Sequence, residues 1–287
     1  MPGVATAVGS CRNRNMTPVP RDCFGTGSVH DTGAMAPGCS CQGGAEAMKT
    51  AILSDIHGNL AAFEAVLEDI RSQQITTILN LGDMVGYGPE PEKVVQRVRD
   101  LGIPTTMGNH ELGVLYEEER RWFNPRLQKG IHLTVNLLSP KTLAWCDTLP
   151  DSILYQGCRC VHGFPPDSVK IYLFQKDTDD LAQMFPDLTE SLVFVGHTHE
   201  LELVTWDGFN ARRRRLGKET VALDSEKAIA NVGSVGQPRD GNNNAKYVVW
   251  DRSANTVEVR YVAYDIQVTV DGILERGFPK YYANRLW

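Results

Sequence analysis

Seven side chains combine metal-donor chemistry with a repeated setting: Asp55, His57, Asp83, Asn109, His162, His197 and His199. The four histidines, and His110 with them, sit where strands are expected to end, close to glycine, aspartate or asparagine, and Asp55, Asp83 and Asn109 come from strand ends as well. In extended chain the Asp-x-His spacing of Asp55 and His57 lets both side chains turn toward one point, and Gly196-His197-Thr198-His199 repeats the device. Together they offer two carboxylates, one amide oxygen and four imidazoles, without a thiolate. That donor mixture suits Mn²⁺, Fe or Zn²⁺ and is too nitrogen-rich for Ca²⁺ or Mg²⁺. The set is larger than one tetrahedral structural zinc takes. A carboxylate shared between two ions would use all of it. A lone histidine at a strand end is more often a surface or core residue than a ligand. The ordered recurrence of Asp-x-His, Gly-Asp, Gly-Asn-His-Glu, His-Gly and Gly-His-x-His is what carries a two-metal reading.

Such residues must be delivered by regular elements. Ala51–Ser54 reads as a buried strand, and Leu60, Phe63, Val66, Leu67 and Ile70 recur at helical spacing after it. Ile75–Leu81 is a second strand running into Gly82-Asp83. Pro91 opens a helix carrying Val94, Val95, Val98 and Leu101, and Pro104–Met107 is a third strand ending at Gly108. Strand–helix–strand–helix–strand predicts a parallel sheet whose sites lie at the strand C-termini. Residues 112–150 read as helical, with Leu127, Ile131, Val135 and Leu138 on one face. Beyond Pro150 the texture is β: strands are expected at Ser152–Tyr155, Cys158–Val161, Ser191–Val195, Leu201–Trp206, Ala228–Val232, Ala245–Trp250 and Val257–Ala263, then a helix over Val268–Arg276. Arg212–Arg215 is expected in a polar loop, either solvated or guiding an anionic substrate.

Asp55-Ile56-His57, Gly82-Asp83, Gly108-Asn109-His110-Glu111, Val161-His162-Gly163 and Gly196-His197-Thr198-His199, in this order, resemble the calcineurin-like metallophosphoesterase superfamily. Asn231-Val232-Gly233-Ser234-Val235-Gly236-Gln237-Pro238-Arg239-Asp240 resembles a late loop of its small bacterial and archaeal metallophosphatase branch. The resemblance spans residues 48–287. It implies an α/β fold, a four-layer α/β/β/α sandwich of two mixed sheets flanked by helices. It also implies one metal on Asp55, His57 and His199, a second on Asn109, His162 and His197, and Asp83 between them. Two divalent ions in that arrangement acidify a bridging water for in-line attack on phosphorus. His110 then matches the family histidine that serves the leaving group. Some phosphodiesterase relatives carry cysteine at that position, so retaining His110 keeps phosphomonoesters open as substrates.

Three features are read more locally. Arg239 could bind a phosphate bidentately or form a salt bridge with a local acid. Cys158 and Cys160 alternate onto one face of a strand and are expected as inert, buried thiols. Residues 112–150 are expected as a helical cap that favours small phosphate esters over a protein chain.

Composition narrows the alternatives. The chain has 287 residues, a net charge of −6 and a mean hydropathy of −0.27. No apolar run reaches the ~18 residues of a membrane helix. The acidic balance speaks against a nuclease. Completeness of the ligand set speaks against a non-catalytic scaffold on the same fold, leaving phosphoprotein or dinucleoside polyphosphate phosphatase as the nearer alternatives. Residues 1–47 lack Leu, Ile, Trp and Tyr and hold four of the seven cysteines. They are expected to be disordered, with Met48 as the natural start. The three cysteines beyond them fit a reducing compartment, with the cytoplasm as default.

Overall fold

The computed structural model describes residues 48–287. The expectations for residues 1–47 lie outside the described residues. The amino-terminal half runs β1 (Lys49–Leu53), α1 (Leu60–Ser72), β2 (Thr77–Asn80), α2 (Pro91–Asp100), α3 (Asn109–Leu115), α4 (Glu117–Arg120), α5 (Pro125–Asn136) and α6 (Pro140–Cys146). There follow β3 (Ser152–Tyr155), β4 (Cys158–Val161), α7 (Thr178–Met184), β5 (Leu192–Val195), β6 (Leu201–Trp206), β7 (Ala211–Arg215) and β8 (Thr220–Ala222). The chain closes with β9 (Lys227–Val232), β10 (Ala245–Asp251), β11 (Thr256–Val262), α8 (Ile266–Glu275) and α9 (Lys280–Asn284).

Strand alternation produces the layers. One sheet has the order β2-β1-β10-β11-β8 and the other β3-β4-β5-β9-β6-β7. Ile52, Leu79, Val248 and Trp250 of the first sheet meet Cys160, Phe194, Leu203 and Ala230 of the second in one core. Their neighbours Ala51, Leu53, Tyr247 and Val249 face the opposite way, onto Phe63, Val66, Val94 and Val98 of α1 and α2. Val193, Val195 and Ile229 pack outward against Leu181 of α7 and the adjoining Phe185. The result is the α/β/β/α sandwich of two mixed sheets. Central strands buried on both faces read as continuous apolar runs, which is why they were legible in sequence.

Local chemistry sets the helix starts. The Asn59 side chain accepts from Ala62 N at 3.1 Å and caps α1. Pro91 stands in the first turn of α2. Ser139 caps α6, while the Glu92 carboxylate of α2 accepts from the Ser139 amide and the Thr142 hydroxyl, each at 2.9 Å. This ties the helical segment to the sheet-bound helices.

Three expectations need correction. Pro104–Met107 makes a single parallel bridge, Asn80 to Thr105, instead of a strand. Pro104 has no N–H, and Met107 turns away to donate to Pro150 O at 2.7 Å. The sheet built from the first half is not purely parallel, since β10 lies antiparallel beside β1. Arg212–Arg215 lies in edge strand β7 rather than a loop, paired antiparallel with β6. Arg213 forks onto Glu202 with two 2.8 Å contacts, and Arg212, Arg214 and Arg215 meet Asp207, Glu219 and Glu200. The arginines are thus matched to acids, and such charges blunt an edge against further pairing. Cys158 and Cys160 are buried between the sheets, as expected. No helix among the described residues is long and apolar enough to cross a membrane.

Candidate metal centre

The strand ends deliver their polar residues in tight, strained turns. Asp55, His57, Asp83, His197 and His199 all have φ between 50° and 68°. This left-handed region is costly for residues with a side chain and is concentrated at functional sites. Glycines make the room. A Cβ at Gly108 would lie 2.2 Å from Asp83 Oδ1, and one at Gly86 would lie 2.2 Å from His110 Nδ1. The late motif braces these turns: Ser234 Oγ donates to Asp55 O at 2.9 Å, and Asn231 Nδ2 donates to Gly196 O at 2.8 Å.

All seven expected donors and His110 converge, and every one is buried. Asp55, His57 and His199 form one group, Asp83, His162 and His197 another, and His57, Asp83 and His110 a third between them. Asn109 Oδ1 lies 3.1 Å from His162 Nε2 and so joins the second group. Asp83 Oδ2 stands between the groups, 3.7 Å from His57 Nε2 and 3.3 Å from His162 Nε2.

Hydrogen bonding decides which nitrogens carry lone pairs. Nδ1 of His57, His162 and His199 faces the carbonyl oxygens of Val85, Leu81 and Gln237 at 2.9, 2.9 and 2.5 Å. His197 uses its other nitrogen, with Nε2 3.2 Å from Lys170 O. A carbonyl only accepts, so each of these nitrogens carries the proton and the opposite one presents a lone pair. The lone-pair ends then meet in pairs: His57 Nε2 and His199 Nε2 at 3.0 Å, His162 Nε2 and His197 Nδ1 at 3.1 Å. Opposed lone pairs at that distance repel unless a cation or a proton lies between them. The donor set therefore fits divalent metal, with backbone carbonyls behind the imidazoles as is usual for metal-bound histidine.

Without metal, protons answer the same field. Burial would raise the Asp55 carboxyl, but His199 and His57 hold it well below its usual range. Asp83 is likewise held low against burial by His162 and His110. Burial disfavours a proton on His162, yet the adjacent Asp83 raises that imidazole to about 9. His199 is pushed down to about 4 by burial and Arg239, and His110 to about 3 by burial. Glu111 supports the arrangement from behind, its carboxylate accepting from the amides of Asp83, Met84, Val85 and Gly108.

A cavity of about 270 Å³ opens onto these residues. Asp83, Asn109, His110, His197, His199 and Arg239 form its polar side. Arg239 Nη2 reaches Tyr87 Oη and Gln237 Oε1, each at 3.3 Å, and its Nε is buried without a partner. Among the described residues no carboxylate pairs with it; the local acid Asp240 is taken by Lys246 at 2.8 Å. The remaining wall was not read from the sequence: Tyr87, Tyr172, and Trp122, Phe123, Asn124 and Leu127 from the helical segment. The Tyr172 ring stacks on His197 at 3.7 Å between centroids, with Trp122 6.2 Å from Tyr172. No spacing pattern marks these aromatics. Only the expectation that 112–150 covers the site pointed toward two of them, Trp122 and Phe123.

A fold of two facing sheets with this cluster at their strand ends matches a described family, and residues 48–201 fit its model: the chain belongs to the calcineurin-like phosphoesterase family. It is a hydrolase of phosphate esters with metal-binding chemistry. It is similar to an uncharacterised protein of Methanocaldococcus jannaschii, 35% identical over 243 residues covering 83% of this chain and 96% of the relative. A metallophosphoesterase from Sphaerobacter thermophilus, of known structure, superposes with a TM-score of 0.72 at 32% identity, covering 84% of this chain and 98% of that one. A shorter likeness, 34% over 71 residues, links 24% of the chain to 25% of a symmetrical bis(5'-nucleosyl)-tetraphosphatase from Pectobacterium carotovorum.

Proposed function

We propose that the chain is a dinuclear metallophosphoesterase that hydrolyses phosphate mono- or diesters of small molecules. Asp55, His57 and His199 would hold one ion, Asn109, His162 and His197 the other, with Asp83 shared. The observation that carries this reading is the pair of close imidazole nitrogen contacts, 3.0 and 3.1 Å, on either side of Asp83. When bound, two divalent ions supply Lewis acidity and a water acidic enough to ionise near neutral pH. Mn²⁺, Fe and Zn²⁺ all suit the donors.

The chain's own groups do the rest. The Asp55 and Asp83 carboxylates hold positive charge where a phosphate must approach. Backbone carbonyls behind the imidazoles keep their lone pairs aimed without reorganisation. His110, buried beside Asp83, presents a ring nitrogen to the leaving oxygen, and Arg239 presents guanidinium N–H groups to a phosphate oxygen. Trp122, Phe123 and Tyr172 give the cavity an apolar wall beside these groups. A cavity of about 270 Å³ supports a small ester over a folded protein substrate.

The short likeness to a symmetrical bis(5'-nucleosyl)-tetraphosphatase favours, as a second reading, a dinucleoside polyphosphate substrate. The free, buried thiols of Cys146, Cys158 and Cys160 support a reducing, cytoplasmic setting.

The test is hydrolysis of p-nitrophenyl phosphate and its bis-ester by metal-stripped protein, with and without added Mn²⁺, beside Asp83→Asn. Activity that requires metal and vanishes in the variant is expected, and the ratio of the two rates assigns monoester or diester preference. Two bound ions with no hydrolysis of either ester would overturn the reading.

A further inference from the structure

Arg239 belongs to two cavities. Beyond it lies a second one of about 350 Å³, lined by Pro238, Gly241, Asn242, Asn243, Arg285 and Trp287. Its size falls in the range of small-ligand sites. Its chemistry is specific. Among the described residues neither Arg239 nor Arg285 has a carboxylate partner, although the chain is acidic overall and each of the arginines of β7 is matched to an acid. The acid nearest in sequence, Asp240, is held by Lys246, whose Nζ also donates to Asn242 O at 2.5 Å and Asn244 O at 3.1 Å. Lys246 thus both cancels that charge and fixes the loop that forms the cavity wall. Trp287 is 65% exposed, a large aromatic surface left open in the cavity lined by these two arginines without carboxylate partners.

We infer that this second cavity is a binding subsite for the part of the substrate beyond the scissile phosphate, and that it takes a nucleoside phosphate. Arg239 and Arg285 would hold its phosphate as charge-assisted donors, Trp287 would stack on its base, and Asn242 and Asn243 offer amides to the base or sugar edge. Arg239, shared by both cavities, places such a ligand next to the cavity of the metal centre. The inference deepens the phosphoesterase reading and rests on it for direction, but the subsite itself can be measured without turnover.

The probe is AMP, titrated calorimetrically into the full chain, both stripped of metal and reloaded with Mn²⁺, with inorganic phosphate and adenosine as separate arms. AMP is expected to bind both forms, at least tenfold tighter than either fragment. Arg285→Gln and Trp287→Ala are each expected to weaken AMP at least fivefold in both forms while binding Mn²⁺ like the parent chain. AMP binding that the two variants leave unaltered, or that occurs only after metal is restored, overturns the subsite. AMP binding retained in a chain that takes up no metal supports the subsite while removing the phosphoesterase reading.

Discussion

The Glu111 carboxylate sits behind Asp83 and accepts from its amide at 2.8 Å, while the Asp83 carboxylate accepts from the amide of His110, Glu111's neighbour, at 2.8 Å. Glu111 therefore anchors the backbone of Asp83, and Asp83 in turn anchors the helix turn that carries Glu111 through the amide of His110. Replacing Glu111 by Gln turns one acceptor into a donor aimed at N–H groups. An unsatisfied buried polar group costs about 1–3 kcal/mol. Outer residues of metal sites typically change affinity by about 10–100-fold. Glu111→Gln is expected to lower the unfolding midpoint and weaken Mn²⁺ binding within that range. Thermal melts and metal titration of the same sample check both.

Metal uptake should release a proton. In the metal-free chain Asp83 lifts His162 to about 9. Its unfolded value is about 6.5. The proton's contribution to the metal-free fold is thus fully present below about 6.5 and is lost as pH rises through about 9. A ligating imidazole must give that proton up, so at pH 7 loading is expected to release about one proton and to weaken as pH falls. Calorimetry in two buffers of different ionisation enthalpy measures it; identical heats would show that none is released.

His110 touches the cavity but is not among the seven expected ligands. Its loss should therefore leave two ions bound and slow the chemistry. General acid–base groups contribute about 10²–10⁴-fold. His110→Gln is expected to lose that much kcat on alkyl phosphates, whose leaving oxygen is basic. The loss on p-nitrophenyl phosphate, whose leaving group departs without help, should be much smaller. Equal losses on both substrates would count against a leaving-group role.

Far from the site, Asp69 joins α1 to the β10–β11 pair. Its carboxylate accepts from Tyr247 Oη at 2.7 Å and from Arg260 Nη2 at 2.9 Å. Burial opposes the charge, but Arg260 and Tyr247 hold the carboxyl below its usual value. The stabilisation is therefore present above the unfolded value near 4 and is lost as pH falls through the depressed folded one. Because the group is partly exposed, Asp69→Asn should cost only about 0.5–1 kcal/mol at pH 7. That difference should shrink toward zero as the pH drops below about 4, as read from urea unfolding at several pH values.

The linear chain specified what depends on near neighbours. Asp55 and His57 lie two apart, as do His197 and His199, and each short motif ends an apolar run whose burial follows from composition alone. Asn59, Pro91 and Ser139 begin helices because capping is local. The strand of Pro104–Met107 failed because Met107 donates to Pro150, 43 positions away. Arg212–Arg215 read as a loop because a run of four charges shows no apolar alternation; what makes it a strand is its antiparallel pairing with β6, including the Arg213–Glu202 fork eleven positions apart.

Tertiary structure alone brought His57 within 3.0 Å of His199 across 142 positions and left the two imidazole lone pairs facing each other. It alone gave Asp240 to Lys246 and so left Arg239 without a carboxylate partner between two cavities. It also set Tyr172 flat against His197. Such contacts depend on how sheets and helices stack, and residues that line a cavity share no period in sequence. The chemistry was written in motifs, whereas the shape of the space around it was decided by packing.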